Sequence, residues 1–237
     1  MGEVIGARAD VARIEDHVRR ALRTALARGA DIAAEAEKRL SPAVAAIDSA
    51  LALKRSADET EATAWAAVLA EDTKSDVGIG AVRDAMWNEL GRARQSPYLE
   101  QVFPGGVSVY TSGNPSDQPV LMQVLRSRIL SAAAPQWTDA QRTGWAAEIE
   151  ALRVPYDAAV QAHRPTEAAA LVATQAYRAA VHTGQARLRA FKRDLLSLGL
   201  TDPQIHEIIP DAATGSSAAK PPDGGSAGNG TADGPSA

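Results

Sequence analysis

The sequence predicts an all-α protein, an elongated and mostly antiparallel helical bundle of two long αα-hairpins with an irregular central loop. Three observations carry that expectation. Apolar residues recur three or four positions apart over long stretches, the signature of one buried helical face. The residues between them are mainly Ala, Leu, Arg and Glu, which lose little freedom in a helix. The turns between periodic stretches are short, and short turns make successive helices antiparallel neighbours.

The first helix is expected from about Arg8 to Leu40, with Val11, Ile14, Val18, Leu22, Ala25, Gly29, Ile32, Ala36 and Leu40 on one stripe. Ser41-Pro42 reads as an N-cap followed by proline at the first helical position. The second helix then carries Val44, Ile47, Leu51, Trp65, Val68 and Leu69. Glu71 to Gly80 is a weak point, either a kink or a break, after which Val82, Met86 and Leu90 resume the spacing. Ser96-Pro97 is expected to stop that helix, because proline disfavours α geometry in the residue before it.

Residues 97–118 form the anomalous connection. Pro104-Gly105-Gly106 permits a tight turn, and Val107, Val109 and Tyr110 alternate in a way that suits a short extended segment. Asp117-Gln118-Pro119 restarts a helix through Leu121, Leu125 and Ile129, which Pro135 ends. Thr138-Asp139 caps the next, with Trp145, Ile149, Leu152, Tyr156 and Val160 on one face and a kink at Pro155. Arg164-Pro165-Thr166-Glu167 reads as a further turn and cap. The last long helix places Leu171, Thr174, Tyr177, Val181, Gln185, Leu188, Phe191, Leu195 and Leu198 close to a 3.5-residue repeat, a coiled-coil-like spacing, and Gly199 suits its C-cap. A short helix, Ile205 to Ile209, folds back because its isoleucines need cover. The bundle domain is thus residues 1–210. Residues 211–237, rich in Gly, Ala, Ser and Pro, hold too few apolar side chains to offset backbone entropy and are expected to be a disordered tail.

Composition narrows the function. The net charge of −4 comes from interspersed signs and gives no general pull toward nucleic acid or membrane. Without cysteine there are no disulfides, thiolate metal sites or thiol nucleophiles. No apolar run approaches the roughly 20 residues of a membrane span. The first residues lack the basic and apolar segments of a secretory signal, so a cytoplasmic location is expected.

A search for chemistry leaves little. Di-metal bundles need Glu three residues before His on two helices, but His17, His163, His182 and His206 follow Ile14, Val160, Ala179 and Pro203 at that spacing. No cofactor or metal is expected. Gly78-Ile79-Gly80 begins like a dinucleotide fingerprint, yet Arg83 stands where the third glycine belongs and no strand precedes it. No Ser lies in a nucleophile elbow, and adjacent carboxylates such as Glu71 and Asp72 point to different sides of a helix.

Two surfaces remain. Long connections are often functional, so Phe103, Val107, Ser108, Tyr110, Thr111 and Asn114 are candidate partner contacts, with Phe103 and Tyr110 as anchors. The competing reading makes the loop aromatics a plug at the bundle end. Arg178, Arg187, Arg189, Lys192 and Arg193 form a candidate basic face on the last helix, where phosphates could bind. The expected function is non-enzymatic, acting by protein–protein contact as adaptor, scaffold or self-assembling component. Nucleic-acid association is the runner-up, and an enzyme, with a loop hydroxyl meeting His163 or His182, the third.

Overall fold

The computed structural model describes residues 10–209, so the tail expected over 211–237 lies outside the described residues. The chain is all-α, with no strand among those residues. Its α-helices are α1 (Val11–Leu26), α2 (Ala30–Arg39), α3 (Ser41–Glu89), α4 (Pro97–Val102), α5 (Ser108–Thr111), α6 (Gln118–Ser131), α7 (Asp139–Ser197) and α8 (Asp202–Ile208). They divide into two compact units: residues 45–180, and the remainder from both ends of the chain. No helix among the described residues is long and apolar enough to cross a membrane.

The terminal unit corrects the first expectation. The helix predicted from Arg8 to Leu40 is two helices, because Gly29 turns extended (ψ 161°) and caps α2 instead of continuing the stripe. The break lets α1 pack on both α2 and α8. Ile14, Val18, Ala21 and Ala25 are buried on α1, as are Leu188, Phe191 and Leu195 on α7. Ser41 opens α3 as its first residue, so the predicted cap is displaced by one position. At the far end Gly199 adopts φ +85°, and the Leu200 amide donates to the Leu195 carbonyl at 3.2 Å, closing α7. Thr201 and Gln204 then form a capping box for α8. Ile205, Ile208 and Ile209 are buried, as their need for cover required. Arg39 reaches Asp194 at 2.8 Å and Arg28 reaches Glu207 at 3.1 Å.

In the central unit α3 runs unbroken through Gly78-Ile79-Gly80, which settles the weak point as helix. A Cβ at position 78 would collide with Leu152 Cδ1, so glycine there admits a close approach of α7. The helix ends before Ser96-Pro97, at Glu89, where Gly91 takes φ +66° and the Arg92 amide donates to the Trp87 carbonyl at 3.0 Å. Arg92 itself lies at φ 58°, a conformation rare for a side chain of its size.

Residues 139–197 form one helix, not two with a turn at Arg164-Pro165-Thr166-Glu167. Proline inside a helix removes one hydrogen bond and costs about 3 kcal/mol. Here both Pro155 and Pro165 are exposed, as are Ala151 and Gln161, whose carbonyls the prolines leave without a helical donor. Tyr156, Val160 and His163 on the opposite side are buried, and their packing carries the helix through.

α3 and α7 are antiparallel. Asp72 accepts from the Tyr156 hydroxyl at 2.5 Å, Glu61 meets His163 at 2.9 Å, and Gly78 abuts Leu152. The core of this unit gathers Ile79, Val82 and Met86 from α3, Met122, Leu125 and Ile129 from α6, and Trp145, Ile149 and Tyr156 from α7. Trp137 donates its indole N–H to the Met86 carbonyl at 3.3 Å and stacks edge-on against Trp145.

One charged group in that packing opposes stability. Burial, with the neighbouring Asp72 carboxylate, holds the Asp76 carboxyl above its ordinary range, while burial and Asp72 also push the Tyr156 phenol up. A raised acid binds its proton more tightly in the folded than in the unfolded protein. Stability therefore rises as pH falls through the folded value toward the ordinary Asp value of about 3.9. Asp76→Asn should raise the melting temperature at pH 7, and the gain should shrink toward pH 4. Thermal melts followed by circular dichroism across pH 4–8 check this, and an equal gain at every pH would contradict it.

Candidate functional site

The central connection contains no extended segment; it is a set of short helices, which corrects the alternating-strand expectation. Ser96 accepts from the Leu99 amide at 3.4 Å and Pro97 fills the first helical position, so Ser96-Pro97 starts α4. Gly105 and Gly106 take φ +79° and +91°, and the Gly106 amide closes on the Phe103 carbonyl at 2.9 Å. That turn is what glycine is required for. It swings α5 back so that the Phe103 and Tyr110 rings meet edge to face at 5.7 Å. The Tyr110 hydroxyl donates to the Val102 carbonyl at 3.3 Å and accepts from the Arg128 guanidinium on α6.

Phe103 and Tyr110 are consequently core residues, 3% and 2% exposed, and neither is available as a surface anchor. Val107 and Thr111 are half-buried, while Ser108 and Asn114 are exposed. Thr111 donates back to the Val107 carbonyl at 3.3 Å.

The plug nevertheless builds a cleft. Gly80 and Arg83 of α3, the 94–100 segment, and the 103–107 turn enclose about 1070 Å³. Pro97, Leu99 and Val107 supply most of its apolar surface, since Phe103 lines it while almost wholly buried; Arg83, Arg94 and Glu100 are among its charged groups. Arg83 pairs with Asp84 at 2.7 Å and lies 4.9 Å from the centre of the Trp87 ring. Trp87 donates its indole N–H to the Ala93 carbonyl at 2.9 Å, which pins the return of the chain that brings Arg94 to the cleft. Both charge signs thus sit beside apolar surface. Of the six predicted partner contacts only Phe103 and Val107 line it. Gly80, Arg83, Arg94, Leu99 and Glu100 escaped sequence reasoning. The one available signal was Gly-x-Gly before Arg83, which is legible only as a failed nucleotide motif.

Asn114 belongs to a second, smaller cleft of about 340 Å³, shared with Glu61, Trp65, Ser116, His163 and Glu167. Asn114 accepts from the Ser116 amide at 3.1 Å. His163 is buried, bonded to Glu61 and tilted against Trp65 at 5.0 Å between ring centres. Among the described residues no three His, Asp or Glu side chains converge as metal ligands.

Of the candidate basic residues, Arg178, Arg189, Lys192 and Arg193 fall within about 100° of one another around α7, and Arg187 stands apart from them. Nine residues separate Arg178 from Arg187, about two and a half turns, which places them on opposite sides of α7. Arg178, Arg187, Arg189 and Arg193 are exposed and Lys192 is half-buried. On α1, Arg19 pairs with Glu15 and Arg20 with Asp16, both at 2.7 Å. Compared with known proteins, the chain matches no protein-family model, no curated protein and no solved structure.

Phe103→Ala should cost about 3–5 kcal/mol through the cavity it leaves. Tyr110→Phe should cost about 1–2 kcal/mol by stripping partners from Arg128 and the Val102 carbonyl. Ser108→Ala should stay within about 0.5 kcal/mol. Denaturant unfolding of the three variants checks this, and three equal small losses would return the loop to a surface role.

Proposed function

We propose that this protein works by protein–protein contact, taking an extended peptide segment of a partner into the cleft between Gly80 and Val107. The observation that carries the reading is the composition of that cleft. Pro97, Leu99 and Val107 offer apolar area, and Arg83, Arg94, Asp84 and Glu100 offer both charge signs. A peptide of alternating apolar and charged residues satisfies such a surface; a phosphate backbone does not, because the two acids would repel it. The lining also holds no imidazole to move a proton, and Ser96 Oγ already caps α4.

The test is selection of a displayed peptide library on the full chain, followed by affinity measurements with Arg94→Glu and Glu100→Arg. Selected peptides should bind at least tenfold more weakly to one or both variants. Peptides indifferent to both would place recognition elsewhere and sink the cleft assignment.

A second reading, enzymatic, draws support from Ser116 sharing the smaller cleft with His163, whose ring nitrogen is already bonded to Glu61. A hydroxyl, an imidazole and a carboxylate are the groups of a nucleophilic site. Labelling by a serine-reactive fluorophosphonate, lost in Ser116→Ala and in His163→Ala, would favour it. An unlabelled chain would remove it.

A further inference from the structure

Between Ile47 and Val68 on α3, and between His163 and Val181 on α7, no residue is fully buried. Over this length the two helices cover only one side of each other. On α3 the half-buried positions are Ala50, Leu51, Lys54, Ala57, Asp58, Glu61, Ala64 and Trp65; on α7 they are Thr166, Ala170, Ala173, Thr174, Tyr177 and Ala180. The side of α7 turned away from that seam carries Ala168, Leu171, Val172, Gln175, Ala176 and Ala179, all exposed. Leu171 and Val172 are 59% and 64% exposed. Leu171, expected on the core stripe, is thus on the outside. From Pro165 to Ala180 the only charged residues are Glu167 and Arg178. A helix apolar on both sides is built to be covered on both sides.

We propose that a second copy of this chain covers this face, with the two α7 segments crossing antiparallel about a two-fold axis between Val172 and Ala173. The argument is charge complementarity. Glu167 and Arg178 are eleven residues apart, about three turns, so both stand on the same flank of the apolar stripe. Residues 167 and 178 lie equally far from the point between 172 and 173. A two-fold axis there brings Arg178 of each copy beside Glu167 of the other, on the same side of the interface. The patch is self-complementary, as an isologous dimer contact requires. A parallel pairing in register would bring no Arg178 beside a Glu167. The face is short, so the association is concentration-dependent, at the small end of specific interfaces. It is separate from the Gly80–Val107 cleft.

Sedimentation equilibrium of the full chain over 5–200 µM reads the result. The expected mass rises toward twice 24.8 kDa with concentration. Val172→Arg, an exposed position that leaves the helix content intact by circular dichroism, should weaken association at least tenfold. Arg178→Glu and Glu167→Arg should each weaken it, and the double exchange should restore it, because opposite charges face each other again. Arg94→Glu, at the cleft, should leave the mass unchanged, so a failure of the peptide reading and a failure of this one are told apart. A wild-type chain that stays monomeric throughout, a dimer that survives Val172→Arg, or a double exchange that restores nothing would each overturn the proposal.

Discussion

Asp72 and Glu61 reach from α3 to Tyr156 and His163 on α7, and the register of the central unit depends on those two polar contacts. The apolar surface around them is largely alanine on the solvent side and Val, Ile and Leu on the core side. Apolar ridges of that kind fit at more than one offset, and a shift by one turn costs little where side chains are short. A buried hydroxyl or imidazole that must find one carboxylate does not tolerate such a shift, because the unpaired group would keep its desolvation cost of about 1–3 kcal/mol. Polar contacts in a helical seam thus select register more than they add stability. Asp76, held beside Asp72 with its carboxyl raised, is part of what that arrangement costs.

Once α3 and α7 are locked, the short helices between them have one place to go. Leu125 and Ile129 of α6 complete the core, and Tyr110 ties α4, α5 and α6 together through Val102 and Arg128. The aromatics that drew attention as anchors are spent in that closure. Their burial is nonetheless what shapes the cleft, since Phe103 lines it from within the plug while Arg83 and Arg94 face it from the sides. Structure and recognition share the same turn, and Gly105 and Gly106 serve both.

The unit formed by the two ends of the chain is built on a different principle. α1 is strongly amphipathic and buries Ile14, Val18 and Ala21, and Arg19 and Arg20 pair with Glu15 and Asp16 one turn away on the same helix. Such pairs are worth about 0.3–0.5 kcal/mol each.

Read from the sequence alone, the all-α class was legible, because the 3.6-residue periodicity survives every local interruption. So were Gly199 as a C-cap and the return of Ile205, Ile208 and Ile209, since local chemistry and burial demand agree there. What the sequence left open, or placed wrongly, were the breaks. Gly29 reads as part of one continuous stripe and Pro165 as a turn, yet only the first divides a helix. The difference lies in the packing around each: Leu26 to Asp31 are all exposed, so nothing holds a helix through Gly29, whereas Tyr156, Val160 and His163 are buried on the face opposite Pro165. The cleft was likewise invisible, because Arg83, Leu99 and Val107 are brought together by a left-handed turn at Gly91 and a second at Gly105-Gly106. Periodicity reports what one helix buries; only tertiary packing decides which interruptions are tolerated and what the loops enclose.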